Sequence, residues 1–185
     1  TTAVDLSSQP ANRPRIGQAS AHTSEHALDG YLDEIRVSSV ARYTGTGSGA
    51  FTPSTTAFTN DSDTELLIHS NSVGTFLSST AAKDGANFNN DDWTVELWVR
   101  PDHALSATDE SFASCGGGYA GWNGTTGHSW SLFNWNNLIY FQWSTGGANF
   151  GTIATSNNAV PANEWTHIAV VNQSGTKRLY IGGVQ

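Results

Sequence analysis

The clearest β-strand pattern in the chain is Trp93-Thr94-Val95-Glu96-Leu97-Trp98-Val99. Successive side chains of a strand point to opposite faces, so the four odd-numbered residues share one face and the three even-numbered residues share the other. All four odd-numbered residues are apolar, whereas Thr94 and Glu96 are polar. The pattern therefore predicts a strand with one face in a hydrophobic core.

Shorter patterns of the same kind recur along the chain, bounded by Gly, Asn, Asp and Pro, and no segment keeps the 3.6-residue period of a long helix. A hairpin is predicted for residues 165–171 and 178–181, joined by a loop of about five residues, 172–176. Many short strands at such spacing predict an all-β, two-sheet antiparallel sandwich or jelly roll. The other expected strands are residues 15–17, 31–37, 65–70, 129–134, 138–143 and 150–154.

Composition excludes several classes of partner. The 185 residues include 8 basic and 16 acidic side chains, giving a net charge of −8 and no basic face for nucleic acid. Charged residues make up 13% and hydrophobic residues 37%, which predicts a folded domain. No apolar run approaches the ~18 residues of a membrane span, so we expect no membrane insertion. A polar surface built from Ser, Thr, Asn and Gly is typical of extracellular or virion β-proteins.

Two sets of motifs resemble one known family. The first is Leu28-Asp29-Gly30-Tyr31-Leu32-Asp33-Glu34-Ile35-Arg36-Val37-Ser38 with Val40-Ala41-Arg42-Tyr43-Thr44. It resembles the closing segment of laminin-G-like domains of the concanavalin A-like lectin/glucanase superfamily. The second set resembles the middle of that domain and consists of Phe88, Trp93-Thr94-Val95-Glu96-Leu97-Trp98-Val99-Arg100-Pro101, Trp165-Thr166-His167-Ile168-Ala169-Val170 and Leu179-Tyr180-Ile181-Gly182-Gly183. The resemblance implies two antiparallel sheets in a jelly-roll sandwich.

The order of these motifs is shifted relative to the family. The closing segment, residues 28–37, precedes the opening strand Glu65-Leu66-Leu67-Ile68-His69. We therefore expect a circular shift in which residues 1–43 complete the sandwich of residues 65–185, in the same chain or in a neighbouring copy. An exposed sheet edge invites pairing with another chain, so this completion is close to obligatory.

Residues 44–63 are rich in Thr, Gly, Ser and Pro and are predicted to form a connector between this closing part and residues 64–185. Three explanations of the shifted order remain open. The chain is one period of a tandem array, a circular permutant, or a protomer that exchanges strands with a neighbour. We favour an array or fibre, because the junction resembles those of repeated phage and bacterial surface proteins.

Carboxylates do not predict catalysis. The resemblance includes glucanases, but retaining enzymes of that kind need two carboxyl groups about 5 Å apart, and the strand pattern Glu-x-Asp-x-x-Glu is absent. The cofactor that the sequence suggests is calcium, because calcium takes oxygen ligands from several loops and some members of the family it resembles bind it. The candidate ligands are Asp33, Asp61 and Asp63. The alternative is that these are turn residues whose side chains bond to the backbone.

Aromatic residues are the best candidates for ligand binding. Flat rings beside amides and hydroxyls can stack on sugar faces and bond to sugar hydroxyls. The alternative is that rings at alternate strand positions fill the core, and Trp93, Trp98 and Trp165 are assigned to packing. The candidate glycan-binding residues are Tyr119, Trp122, Asn123, Trp130 and Trp135.

The sequence thus predicts a non-enzymatic structural or recognition domain of an extracellular or virion fibre, or of a cell-surface appendage. Its expected partners are other copies of itself and cell-surface polysaccharide. Two alternatives stay open: a glucanase-like glycoside hydrolase on the same fold, and an architectural repeat with no ligand.

Overall fold

The computed structural model describes residues 14–17, 27–70, 76–78, 91–105, 110–116, 128–146, 149–155 and 160–185. Within these ranges the chain forms strands and no helix, hence none long and apolar enough to cross a membrane. The strands are β1 (Pro14–Ile16), β2 (Gly30–Ser38), β3 (Thr64–Ile68), β4 (Phe76–Ser78), β5 (Trp93–Pro101), β6 (Glu110–Gly116), β7 (His128–Trp135), β8 (Leu138–Gly146), β9 (Asn149–Ala154), β10 (Thr166–Gln173) and β11 (Thr176–Ile181).

The strands form two antiparallel sheets, as the alternating patterns predict. One sheet has five strands in the order β1-β6-β7-β8-β9, and the other has six in the order β11-β10-β5-β2-β3-β4. The predicted closing segment is β2, which pairs with β5 through Leu32 opposite Val99 and with β3 through Val37 opposite Leu66. The described part of residues 1–43 therefore contributes a central strand to the sandwich of its own chain.

The core lies between the two sheets. The odd-numbered face of β5 points into it, and Val95, Leu97 and Val99 have no exposed surface. Leu132 and Phe141 of the five-stranded sheet meet them from the other side. Each such side chain removed from water stabilises the fold by about 1.5–3 kcal/mol.

The β10–β11 connection is shorter than the predicted five-residue loop. Gln173 pairs with Thr176, so the turn consists of Ser174 and Gly175 alone. Both have positive φ, 49° and 83°, as in the two-residue turns whose twist matches that of the flanking strands. The side-chain amide of Asn172 donates to the carbonyl of Asp91 at 2.7 Å, which ties this end of β10 to the segment before β5.

The even-numbered face of β5 is also covered, and it carries a buried charge. Glu96 has no exposed surface. Its Oε1 accepts from Nε of Arg36 at 2.8 Å and lies 2.6 Å from Nη2 of the same residue. Its Oε2 accepts from the Tyr43 hydroxyl at 2.6 Å and from Nε2 of His167 at 3.0 Å. We call these four residues the Glu96 network; both oxygens of its carboxylate are bonded.

Residues 39–63 form the cover over this network. Tyr43 stacks on Phe51 with ring centroids 3.6 Å apart, and Phe51 contacts the ring of Tyr180 at 5.3 Å. Phe58 is 5% exposed and lies under the guanidinium of Arg36, 4.1 Å from its ring centroid. The predicted connector thus packs along the outer face of the six-stranded sheet.

Glu96 is ionised in the folded protein. Burial raises the pKa of Glu96, but the hydrogen bonds from His167 and Tyr43 and the charge of Arg36 together outweigh burial and leave this pKa below its ordinary value of 4.5. A carboxyl whose folded pKa is lowered stabilises the fold above its unfolded pKa, and this contribution is lost as the pH falls through the folded pKa.

We expect Glu96→Gln to lower the free energy of unfolding by about 3–5 kcal/mol at pH 7, because it leaves Arg36 buried without its counter-charge. Urea denaturation measures the change. The deficit should shrink as the pH falls from 4.5 through the lowered folded-state pKa of Glu96, because the carboxyl is protonated first in the unfolded chain and then in the folded protein. Glu164→Gln, at an exposed position, is the matched control and should change stability by less than about 0.5 kcal/mol. An equal loss of stability in the two variants would contradict the stabilising role assigned to the Glu96 network.

The cover is anchored at Gly183, where the amide of Phe51 donates to the Gly183 carbonyl at 3.3 Å. Gly183 has φ of 81°, and a Cβ there would overlap the carbonyl oxygen of Phe51. Gly47 has a similar φ of 77°, but a Cβ there would meet nothing within 4 Å.

Gly183→Ala should therefore destabilise the protein by about 1–3 kcal/mol more than Gly47→Ala, since only the first adds overlap to backbone strain. Thermal or urea unfolding of the two variants side by side measures the difference. Equal losses would mean that the cover does not press on Gly183.

Candidate functional site

The outer face of the five-stranded sheet carries polar side chains in register. Ser114 pairs with Ser131, Ser131 with Gln142, and Gln142 with Thr152. Directly opposite residues of an antiparallel pair point to the same face, so the four form one row across β6 to β9. The row is buried at Ser114 and Ser131, half-buried at Gln142 and exposed at Thr152.

Aromatic rings lie beside this row. Phe133 pairs with Tyr140, and their rings stack at 5.5 Å with planes 16° apart. Trp135 lies on the other side of Tyr140, with ring centroids also 5.5 Å apart and planes inclined by 53°. Phe133 is only 3% exposed, whereas Trp135 and Tyr140 are half-buried.

The accessible part of this face is what we call the outer-face site: Trp135, Tyr140, Gln142 and Thr152. The rings of Trp135 and Tyr140 supply flat apolar surface. The amide of Gln142 and the hydroxyl of Thr152, on the same face, supply hydrogen-bond donors and acceptors. Tyr140 and Gln142 are two positions apart on β8, about 7 Å along the strand. This combination suits a ligand with both C–H faces and hydroxyl groups.

Two of the predicted glycan-binding residues fall on opposite faces of β7. Trp135 belongs to the outer-face site. Trp130 points inward, is 2% exposed and packs 6.0 Å from Phe141, so it fills the core and offers no surface to a ligand. The remaining candidates, Tyr119, Trp122 and Asn123, lie outside the described residues.

The tryptophans assigned to packing also differ. Trp93 is 3% exposed and Trp98 is half-buried, but Trp165 is 45% exposed. Trp165 precedes the first residue of β10, whereas the rings of Tyr43, Phe51 and Phe58 lie against His167, two residues further on.

Gln142 and Thr152 were not among the ligand-binding residues predicted from the sequence. The alternation within residues 138–143 already places Tyr140 and Gln142 on one face of a strand. Which face points outward depends on the pairing of β8 with its neighbours, and a single sequence does not give that pairing.

The candidate calcium ligands are not brought together. Oδ1 of Asp33 accepts from the backbone amides of Glu34 at 2.7 Å and Ser70 at 2.9 Å. Asp61 and Asp63 lie at the other end of the β2–β3 pair, about 17 Å away along β2. In the ranges that the structure describes, no three His, Cys, Asp or Glu side chains form a group fit for a metal ion.

Asp61 instead has a structural partner. Its two carboxylate oxygens accept from Nη1 and Nη2 of Arg42 at 3.0 and 2.8 Å, and Oδ1 also accepts from the hydroxyl of Thr64 at 2.7 Å. These bonds, with that from Arg42 the strongest, hold the pKa of Asp61 well below its ordinary value. The backbone amide of Asp63 also donates to Oδ1 of Asp61 at 3.1 Å, so the turn role given as the alternative describes Asp61.

Two further His–carboxylate pairs lie among the described residues. Nδ1 of His69 donates to Oε1 of Glu34 at 2.6 Å, and Glu34 has φ of 50° where β2 bulges against β5. Nε2 of His103 is 3.0 Å from Oε1 of Glu110, and its Nδ1 is 3.9 Å from Asp29. Burial raises the pKa of Glu110, which is 4% exposed. A group this buried cannot touch a sugar bond.

The two faces of β7 give opposite expectations for stability. Trp130→Ala should lower the free energy of unfolding by about 3–5 kcal/mol, because it opens a cavity in the core. Trp135→Ala should cost about 1 kcal/mol, because part of its side chain already lies in water. Urea denaturation of both variants checks this. A larger loss for Trp135→Ala would reverse the assignment of the two faces.

A protein-family model described as the concanavalin A-like lectin/glucanases superfamily matches residues 73–185. No curated protein and no solved structure matches the chain. The matched segment contains strands β4 to β11, including every strand of the outer-face site. Strand β2 lies outside the match, although it pairs with β5 in the middle of the six-stranded sheet.

Proposed function

Since the chain belongs to the concanavalin A-like lectin/glucanases superfamily, we propose that it is a non-enzymatic recognition domain that binds carbohydrate at the outer-face site. The superfamily fits a carbohydrate-binding or a structural role. One observation carries the choice of carbohydrate: two half-buried rings, Trp135 and Tyr140, share an outward face with the amide of Gln142 and the hydroxyl of Thr152.

In this proposal the aromatic rings and the polar side chains contact different parts of the sugar. A sugar ring places its C–H face on Tyr140 and Trp135. This contact removes apolar surface of both the sugar and the aromatic rings from water. Its hydroxyls bond to Gln142, which both donates and accepts, and to Thr152. No side chain of the site carries a charge, so the site favours neutral sugars.

A recognition role without hydrolysis is supported by the carboxylates. A retaining glycosidase needs two carboxyl groups about 5 Å apart in an open groove. Among the described residues the five-stranded sheet carries one carboxylate, Glu110, and it faces inward with His103 on one oxygen. Glu96, on the other sheet, has no exposed surface.

We also propose an extracellular setting, as part of a virion or cell-surface fibre in which neighbouring copies of the chain and a cell-surface polysaccharide are the partners. Laminin G-like domains are often extracellular. The low charged fraction of 13% and the net charge of −8 support the same setting, because they leave little attraction for nucleic acid or anionic membranes. Sedimentation over a range of concentrations tests whether copies associate.

The proposal is tested by binding of the purified protein to an array of neutral and acidic glycans, followed by titration of the strongest binder. Trp135→Ala and Tyr140→Ala should each weaken that binding about tenfold or more, because each removes a stacking ring. Ile16→Ala removes an exposed apolar side chain at the opposite edge of the same sheet and should leave binding unchanged.

The alternatives give different results in the same experiment. Binding to no glycan on the array would leave the architectural role. Release of reducing sugar from a bound polysaccharide by the purified protein would identify a hydrolase in place of a recognition domain.

A further inference from the structure

A second group of exposed rings lies on the outer face of the six-stranded sheet. Tyr31 of β2 is 54% exposed and Trp165, just before β10, is 45% exposed. Arg100 of β5 lies between them: it pairs with Tyr31, and the pairing of Thr166 with Val99 places Trp165 on its other side. We call Tyr31, Arg100 and Trp165 the ring–arginine platform.

Arg100 is held in place by its neighbours. Its guanidinium carbon lies 5.4 Å from the centroid of the Tyr31 ring, and its Nε donates to the carbonyl of Asn163 at 3.2 Å. Its Nη1 is 3.7 Å from the carboxylate of Asp102. The two charges are partly exposed, 33% for Arg100 and 42% for Asp102, and they balance each other.

The cover over the Glu96 network does not extend to this platform. The rings of Tyr43, Phe51 and Phe58 all lie within about 6 Å of His167, at 6.1, 5.7 and 6.1 Å. Trp165 is two residues before His167 in the chain, and Tyr31 and Trp165 remain about half exposed. Flat apolar rings left in water beside fixed hydrogen-bonding groups suit a ligand that carries both C–H faces and hydroxyls.

We propose that the ring–arginine platform binds a neutral saccharide chain, independently of the outer-face site. Two rings offer stacking surfaces, and Arg100 and Asp102 offer a donor and an acceptor for hydroxyls. The balanced pair gives no net attraction for an ionic ligand, and the net charge of −8 repels polyanions. The exposed area of the three side chains is on the order of 300 Å², well short of the roughly 800 Å² that a stable protein partner covers.

The spacing of the rings sets the length of the ligand. Tyr31 lies on β2 and Trp165 directly before β10, two strands away in the sheet, which is a separation of about 10 Å. A single sugar ring cannot contact both, whereas a chain of several sugars can. The platform is therefore specific for length, and a disaccharide engages one ring at a time.

The test uses the Trp135→Ala/Tyr140→Ala variant, in which the outer-face site is removed. Hexasaccharides and disaccharides of β-1,4-glucan, β-1,4-mannan and α-1,4-glucan are titrated by calorimetry, with a galacturonate hexasaccharide as the acidic probe. At least one neutral hexasaccharide should bind about tenfold or more tightly than its disaccharide. Tyr31→Ala and Trp165→Ala, each added singly to this variant, should lower its affinity for the hexasaccharide to its affinity for the disaccharide.

Ile16→Ala, added to the same background, is the control and should leave the length dependence intact. Urea denaturation confirms that each variant is folded. The proposal is overturned if no neutral hexasaccharide binds, if only the galacturonate chain binds, or if binding survives both ring substitutions. Any of these results leaves the outer-face site untouched, because that site is tested in the wild-type background with Trp135 and Tyr140 as the substituted residues.

Discussion

The buried carboxylate of Glu96 is the constraint on which the arrangement of the six-stranded sheet depends. A charge without exposed surface is tolerated only when its partners are in place, and Glu96 has three: Arg36 from β2, His167 from β10 and Tyr43 from the cover. β2 and β10 flank β5 in the sheet, so one side chain specifies both neighbours of its strand. Any exchange of β2 for another strand that lacked an arginine at this position would leave the charge unpaired.

The sequence predicted the strand that carries Glu96 but not what surrounds it. Alternation within residues 93–99 placed Glu96 opposite the apolar face, and the structure confirms that division. The partners are 53 to 71 residues away in the chain, where no local pattern connects them to β5. On β7 the limit is different: Trp130 and Trp135 sit on opposite faces that both carry rings, so periodicity alone could not say which face is the core.

The exposure of Trp165 marks the limit of the surface that residues 39–63 cover. Trp165 and His167 are two residues apart along an extended chain, so their side chains point to the same face of the sheet. His167 is nevertheless 1% exposed, whereas Trp165 is 45% exposed. The difference comes from residues 39–63, whose rings gather around His167 and end there. A packing assignment based on the strand motif alone treats the two positions as equivalent, because the length of a covering segment is not part of that motif.

The two proposed sites face in opposite directions, since each lies on the outer face of its own sheet. The sheets of a sandwich are about 10 Å apart, and the side chains on both outer faces add to that distance. A short saccharide therefore cannot occupy both sites of one molecule, and the gain in affinity that comes from linking two sites on one ligand is not available. Two separate saccharide chains can be bound at once. A protein with carbohydrate bound at both proposed sites would hold neighbouring polysaccharide chains together.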